Sequence, residues 1–282
     1  MARPLRIKYP GAIYHVIARG NALQPIFSDD FDRLTFIDLL GSSFERYHWL
    51  CHAYCLMDNH YHLLVETPEG NLSEGMRQIN GVYTRKFNRR HHRSGHLFQG
   101  RFRAIIVERD HYLLEVNRYI SLNPVRSGLV SDPATYNWSS FPAMIGLHDK
   151  PSFLTREWIL SQFGEHEDIA IQRFRDFVYD GIAQTESVEN DSENILGSLQ
   201  FKQNLQPILL KSRTIKEIPR LQRFFNRPGL QDIFTPVAES EKSVRNPAIR
   251  KCILEYGYTL TEVGRFLGLH YTTISKIVNQ EK

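Results

Sequence analysis

The alternation of apolar and polar positions predicts an ordered series of strands and helices over the first half of the chain. Residues 11–21 alternate weakly and are bounded by glycines, which is typical of a strand. A helix follows, with Ser28 as its predicted cap and apolar residues three or four positions apart. Two strand-like segments then flank the turn signal Asp58-Asn59, and together they predict a hairpin.

Three further elements complete this first region. The pattern predicts a helix over residues 73–88, a strand from His96 with a glycine interruption, and a helix over 109–123. The last helix should stop near Pro124, because a proline restricts the residue before it. The order strand, helix, strand, strand, helix, strand, helix predicts an α+β fold, a ferredoxin-like antiparallel sheet with helices on one face.

The signals weaken after Trp138, and the chain of 282 residues is long enough for more than one domain. We expect the sheet domain over 1–148 and a helical extension over 149–185. A linker and connecting region should cover 186–239, since QTESVENDSEN has four acids and no bases. A small all-α domain is expected over 240–282.

The last forty residues have the pattern of a helix-turn-helix. Asn246 and Pro247 predict a cap and a first helical position. Thr259 and Glu262 have capping-box spacing for a second helix, and Gly268 provides the turn before a third. This pattern favours a DNA-binding module. A small helical hairpin docked on the main domain is the alternative.

Composition narrows the class of protein. Apolar residues make up 41% of the chain, which suits ordinary globular cores, and no apolar run is long enough to span a bilayer. The N-terminus lacks the apolar stretch of a secretory signal. Three cysteines give no disulfide framework, and Cys51 and Cys55 are expected on one core-facing side of a strand. We therefore expect a cytoplasmic protein that does not act at a membrane.

Positive charge is concentrated in one segment. The net charge is only +4, yet residues 77–109 contain nine Arg or Lys and one acid, a local charge of +8. Such a block indicates a phosphate-binding surface, and a solvated helix face is the alternative interpretation.

Two elements carry residues suited to metal chemistry. His60 and His62 are two apart on a predicted strand, so both project from the same sheet face. Tyr119 and Asn123 are one helical turn apart, and the Asn123 amide oxygen is a plausible third ligand. Two imidazoles and an amide suit Mg²⁺ or Mn²⁺ better than a closed zinc site. From spacing alone, a half-buried packing tyrosine and a C-cap asparagine are the favoured interpretation of this helix.

Longer motifs carry a family resemblance. Residues 5–185 closely resemble the REP-associated tyrosine transposases. The resemblance lies in the opening AIYHVIARGN and in the segments HYHLLVETPEGNLSEGMRQIN, GHLFQGRFRAIIVE and LLEVNRYISLNPVRSGLV. These transposases are His-hydrophobic-His nucleases with one catalytic tyrosine. Tyr61 fills the hydrophobic slot with an aromatic side chain, a mild variation. The segment HYTTISKI, from His270, resembles the DNA-binding domain of the replication initiator DnaA.

The resemblance implies a metal-dependent single-strand DNA endonuclease and strand transferase. It implies Tyr119 as the nucleophile that forms a 5′-phosphotyrosine, and His60, His62 and Asn123 as ligands of Mg²⁺ or Mn²⁺. REP-type palindromes folded as hairpins would be the substrate, and a cytoplasmic, nucleoid-associated location follows. A DNA-binding regulator with an inactive nuclease domain is the main alternative, and a phosphodiesterase that uses water is a second.

Candidate DNA contacts lie in four places. They are at the end of the first strand, in the basic block, in the GRFR segment, and at the start of the last helix, where duplex DNA would bind. The residues are Arg19, Asn21, Arg85, Lys86, Arg89, Arg90, Arg101, Arg103, Thr272, Thr273 and Lys276.

Tyr119 needs help to lose its proton, because a free tyrosine has a pKa of about 10. Metal-bound water, His52 and Glu115 are candidates for the base. The sequence does not determine whether the protein forms a homo-oligomer. It therefore also does not determine whether Tyr119 acts in the site of its own subunit or in that of a partner subunit.

Overall fold

A computed structural model of the protein describes residues 7–183, 194–208, 227–234 and 241–279. It contains two compact units, one over residues 8–201 and one made of Ile7 and the described residues from 202 onward. The elements of the first unit are β1 (Ala12–Arg19), α1 (Asp30–Tyr47), β2 (Leu50–Leu56), β3 (His60–Thr67), α2 (Leu72–Arg90), β4 (Arg103–Val107), α3 (Arg109–Arg126), α4 (Phe141–Met144), α5 (Glu157–Ser161), α6 (Glu167–Asp180) and β5 (Ile195–Leu196). The chain continues through α7 (Leu199–Asn204), α8 (Leu230–Ile233), α9 (Lys242–Leu254), α10 (Leu260–Leu267) and α11 (Tyr271–Asn279). Among the helices described, none is long and apolar enough to cross a bilayer.

The strands form one sheet in the order β2-β3-β1-β4-β5. β1 lies between β3 and β4 and pairs antiparallel with both, while β2 pairs antiparallel with β3. The predicted series of strands and helices is confirmed, and so is the α+β class. β5 adds a short strand parallel to β4, which the sequence did not predict. Most of the expected linker QTESVENDSEN lies outside the described residues.

Helices cover both faces of the sheet rather than one. On the first face, the Tyr61 hydroxyl donates to Asn80 of α2 at 2.6 Å, and the Phe36 ring of α1 lies 4.8 Å from the Tyr61 ring. On the opposite face, α3 is joined to β2, where Asn117 Nδ2 donates to the His52 carbonyl at 2.8 Å. The reason is that β3 carries buried side chains on both faces, and Leu64 beside His62 needs cover as much as Tyr61 does.

A β-bulge in β2 changes which face each cysteine occupies. The register shifts between Cys51 and Ala53, so Cys51 pairs with Val65 while Cys55 pairs with His62. The two cysteines are both buried but lie on opposite faces, contrary to the prediction of one shared side. An inserted residue reverses the alternation of every side chain before it.

Three helix ends differ from their predicted positions. Asp29, not Ser28, caps α1, with its carboxylate accepting from the Asp32 amide at 3.1 Å. Helix α3 continues past Pro124 to Arg126, and α9 starts at Lys242 with Pro247 inside it. Each proline removes one backbone hydrogen bond, in the last turn of α3 for Pro124 and in the interior of α9 for Pro247, and the remaining bonds continue both helices.

The C-terminal unit has the three predicted helices around its own core. Thr259 and Glu262 form the capping box, with the Glu262 amide donating to the Thr259 hydroxyl at 3.0 Å. Gly268 ends α10 with a positive φ of 65°, as the turn requires. Val263, Ile274 and Ile277 are buried in this core.

Two glycines of α2 should respond in opposite ways to alanine. A Cβ on Gly75 would lie 2.3 Å from Trp49 Cζ2, whereas a Cβ on Gly81 would meet only Arg85 at 3.7 Å. Gly75→Ala should therefore destabilise the fold by about 1–3 kcal/mol through overpacking. Gly81→Ala should stabilise it by about 0.5–1 kcal/mol, because alanine favours the helix.

Urea unfolding of both variants beside the wild type measures the difference. Equal free energies of unfolding for Gly75→Ala and Gly81→Ala would contradict the packing of Trp49 against α2.

Candidate functional site

Two histidines of β3 lie side by side on the α3 face of the sheet. The ring centroids of His60 and His62 are 5.0 Å apart, with the rings nearly perpendicular. In β1 their register partners are Arg19 for His60 and Ile17 for His62. The predicted common face is therefore present, because residues two apart on a strand share a face.

Both imidazoles are neutral near pH 7. Burial, followed by the nearby Arg19 charge, lowers the pKa of His60 from 6.5 to about 4, although the Asp58 charge opposes the shift. Burial also holds the pKa of His62 well below its usual value, with His15, His60 and Arg19 acting in the same direction. A neutral imidazole has a lone pair for a metal ion, so the local environment favours the ligating form.

Helix α3 brings Tyr119 to the same histidines. Leu113, Val116 and Ile120 are fully buried along the helix and anchor it, as the pattern predicted. The Tyr119 ring lies 5.9 Å from the His62 ring, edge on. Tyr119 itself is half-buried. A tyrosine on the helix and a histidine on the strand, 57 positions apart in sequence, are thus adjacent in space.

Asn123 lies one helical turn after Tyr119 and is only 9% exposed. It does not cap the helix, since Ser127 occupies that position. Its Nδ2 atom is buried and has no hydrogen-bond partner within the described residues. A buried N–H donor left without an acceptor is costly in a finished core, so packing alone does not account for this side chain.

The residues present fit a divalent metal ion. His62 Nε2 is a second buried polar atom without a hydrogen-bond partner in the described part of the chain. Two imidazole nitrogens and an amide oxygen form a mixed donor set that suits Mg²⁺ or Mn²⁺. Within the same described ranges, no group of three His, Cys, Asp or Glu side chains is placed to hold a metal. A metal here would therefore need the amide as its third protein ligand.

Two residues of this site were not singled out from the sequence. His15 of β1 is buried, and its Nε2 lies 2.8 Å from His62 Nδ1. Burial, followed by the Arg103 charge, lowers the pKa of His15 from 6.5 to about 3. Arg126, at the end of α3, places its guanidinium 5.1 Å from the centre of the Tyr119 ring. The sequence signal for His15 was its position in the first strand, and Arg126 was hidden because α3 was expected to stop at Pro124.

Backbone hydrogen bonds hold several of the residues predicted to contact DNA close to one another near the site. The Asn21 amide donates to the Leu97 carbonyl at 2.8 Å, and the Gln99 amide donates to the Arg19 carbonyl at 2.8 Å. These bonds hold the chain just before the GRFR segment against the end of β1. Arg103 pairs with Ile17 on the face of the histidines, and Arg101 is exposed beside it in sequence.

The basic residues of α2 lie on the side of the sheet opposite His60 and His62. Arg85, Lys86 and Arg89 are exposed on α2, which covers the sheet face opposite the histidines. Arg90 is paired with Asp29 and with Asp32, each at 2.6 Å, and so links α2 to α1. Of the Arg and Lys side chains predicted to contact DNA, the structure therefore places only some on the same sheet face as His60 and His62.

The two side chains that are candidate bases for Tyr119, Glu115 and His52, each have an oppositely charged or hydrogen-bonding partner. Glu115 is paired with Arg118, one turn along α3. His52 Nε2 lies 3.0 Å from Glu66, which also pairs with Arg109.

In the C-terminal unit, Thr272, Thr273 and Lys276 are exposed on α11. The His270 ring lies 2.8 Å from the Thr272 hydroxyl, at the start of that helix. The three predicted helices are present, while the helix-turn-helix assignment and DNA binding by this unit stay predictions.

Comparisons with known proteins bear on the first unit. Residues 8–123 match the model of the family described as "Transposase IS200 like". The chain is similar to a solved REP-associated tyrosine transposase bound to a REP hairpin, at 17% identity and a TM-score of 0.44. That likeness covers 55% of this chain and 93% of the other. No curated protein matches the chain.

The family match spans every element that builds the site, from β1 to the Asn123 turn of α3. The predicted enzyme class, a transposase, agrees with the family that this segment matches. The match is limited to the segment from residue 8 to residue 123, and this segment is similar to the IS200-like transposases.

Proposed function

We propose that this protein cuts and rejoins single-stranded DNA through a covalent link to Tyr119. The observation that carries the proposal is the Tyr119 ring 5.9 Å from His62, on the sheet face that also bears His60. A tyrosine beside two neutral imidazoles, one turn before a buried amide whose nitrogen has no hydrogen-bond partner among the described residues, supports such chemistry.

His60, His62 and Asn123 are the proposed ligands of Mg²⁺ or Mn²⁺. When bound, the divalent cation supplies Lewis-acid polarisation of the scissile phosphate and offsets negative charge in the transition state. The protein's own contribution is to keep both imidazoles neutral by burial and to hold the Asn123 amide on the anchored helix.

The reaction is a transesterification. The Tyr119 hydroxyl gives up its proton as its oxygen forms a bond to phosphorus, the bond from phosphorus to the 3′-oxygen breaks, and the leaving oxygen takes up one proton in exchange. The products are a 5′-phosphotyrosine on the protein and a free 3′-hydroxyl on the other fragment. Attack by a 3′-hydroxyl reverses the step and rejoins strands. One phosphoester replaces another, so no energy cofactor is required.

Cations around the site would position the strand. Arg19 and Arg103 lie at adjacent ends of β1 and β4, and Arg126 lies over the Tyr119 ring. With Asn21 and Arg101 they form the proposed phosphate-contacting surface near the cut. Such contacts position DNA without reading its sequence.

The exposed Arg85, Lys86 and Arg89 of α2 would contact a more distant part of the same molecule. Arg90 is left out of this surface, because Asp29 and Asp32 already bind it. A folded hairpin reaches two separate basic surfaces more readily than a short single strand does. The proposed substrate is accordingly a REP-type palindromic hairpin, as the motif resemblance implies.

Tyr119→Phe should abolish the covalent protein–DNA adduct, because it removes the only atom proposed to attack phosphorus. The measurement is a denaturing gel with end-labelled hairpin DNA and Mn²⁺. Tyr112→Phe, on the same helix, is the matched control and should form the adduct at the wild-type rate.

Three outcomes would overturn this assignment. An adduct with Tyr119→Phe means that another residue is the nucleophile. Cut DNA with 5′-phosphate ends and unlinked wild-type protein means that water is the nucleophile, as in a phosphodiesterase. Absence of any cutting on related palindromes would favour a DNA-binding regulator.

Loss of a ligand should weaken metal binding. Loss of a residue that only hydrogen-bonds to a metal ligand typically lowers metal affinity by about 10–100-fold. His62→Ala removes a ligand itself, so it should lower the affinity for Mn²⁺ by more than that. A chelator should stop adduct formation by the wild type, and Mn²⁺ or Mg²⁺ should restore it. Calorimetric titration of the full chain gives the affinity.

The control is His48→Ala, because the His48 side chain is 72% exposed and pairs with Glu69. Equal Mn²⁺ affinity of His62→Ala and His48→Ala would contradict the proposed metal site.

We also propose that the C-terminal unit binds duplex DNA through α11. Thr272, Thr273 and Lys276 are exposed together at the start and middle of this helix, on the side away from Ile274 and Ile277. In helix-turn-helix modules the second helix of the motif enters the major groove. The unit would deliver the transposase domain to a site near its cut.

Lys276→Ala should weaken duplex binding by the full chain and reduce the slope of log affinity against log salt by about 1. Fluorescence anisotropy with labelled duplex at several salt concentrations measures both. Lys242→Ala, an exposed lysine at the start of α9, should leave the slope at the wild-type value. An unchanged slope for Lys276→Ala would contradict phosphate contact by α11.

A further inference from the structure

His15 and His62 form a buried pair on adjacent strands. Their rings are stacked, with centroids 5.1 Å apart and planes inclined by 26°. His15 Nε2 and His62 Nδ1 are 2.8 Å apart, which is a hydrogen-bond distance. Neither side chain is more than 3% exposed. One proton must therefore lie between these two nitrogens.

The direction of that hydrogen bond decides what His62 can do. A neutral imidazole has one N–H donor and one acceptor nitrogen. If His15 donates, His62 carries its own proton on Nε2, and that nitrogen cannot bind a metal. If His62 donates from Nδ1, its Nε2 has a lone pair free for a metal.

The surroundings of His62 Nε2 decide which of these two hydrogen-bond directions is favoured. This atom is buried and has no hydrogen-bond partner within the described residues. A proton placed there would be a buried donor without an acceptor, which is destabilising. A lone pair there is compatible with burial once a cation occupies the adjacent space.

We propose that His15 is a positioning residue that accepts the Nδ1 proton of His62 and so presents the His62 Nε2 lone pair to the metal. This proposal rests on the proposed function, since it assigns a role toward the same metal. Metal-bound histidines generally donate their second ring nitrogen to an outer partner, which fixes the tautomer and the ring orientation.

The position of His15 suits this role. It faces Leu64 in β3 and Ile105 in β4, in the middle of the sheet, so its ring is fixed by strands on both sides. The edge of the Tyr119 ring also packs on it, with centroids 5.8 Å apart. His15 therefore contacts both the proposed ligand and the proposed nucleophile while being too buried to meet DNA.

The test compares two substitutions at this one position. In His15→Gln the side-chain amide can still offer an oxygen near the place of Nε2, whereas His15→Leu fills the space without an acceptor. His15→Leu should lower Mn²⁺ affinity by about 10–100-fold, and His15→Gln should stay within about threefold of the wild type. At saturating Mn²⁺, cleavage by His15→Leu should recover most of the wild-type rate.

Controls separate positioning from stability. Leu39→Ala opens a cavity on α1, which packs against the other sheet face, so it should lower the melting temperature without changing Mn²⁺ affinity. Nitrogen-15 NMR of labelled histidines in the full chain saturated with Mg²⁺, which is diamagnetic, should show His62 protonated on Nδ1. A His62 proton on Nε2 would overturn the proposal, as would wild-type Mn²⁺ affinity in His15→Leu.

Failure of this inference differs from failure of the proposed function. If the wild type binds Mn²⁺ and His62→Ala does not, but His15→Leu binds normally, only the role of His15 is wrong. If the wild type and His62→Ala bind Mn²⁺ equally weakly, the metal site itself is wrong, and the role of His15 falls with it.

Discussion

The two-residue period of β3 is the constraint on which the rest of the domain depends. It directs Tyr61, Leu63 and Val65 into the layer covered by α1 and α2, and His60 and His62 onto the face covered by α3. A strand with buried side chains on both faces must be covered on both. The same alternation that builds a core on one side therefore builds a polar, ligand-type site on the other.

The placement of α3 turns that polar face into a candidate active site. Its buried apolar residues hold the helix on the sheet, and Asn117 joins it to the carbonyl of His52 at the bulge of β2. The helix then continues past Pro124, which brings Arg126 over the Tyr119 ring. An anchored helix keeps the proposed nucleophile in register with the histidines, as preorganised catalysis requires.

Burial supports the chemistry proposed for this face. It keeps His15, His60 and His62 neutral, so that hydrogen bonding rather than charge orders the three rings. Positive charge surrounds them at Arg19 and Arg103, where a phosphate backbone would pass. A site with neutral ligands and a cationic rim attracts a polyanion while leaving the lone pairs for a metal.

By itself, the sequence determined the order of the elements, the shared face of His60 and His62, and the spacing of Tyr119 and Asn123, because these follow from local periodicity. Only the tertiary structure decided that helices cover both faces, that Cys51 and Cys55 are separated by a bulge, and that Arg90 is bound by carboxylates. It alone placed His15 against His62. Contacts between residues far apart in the chain depend on strand register and helix docking, which no local pattern encodes.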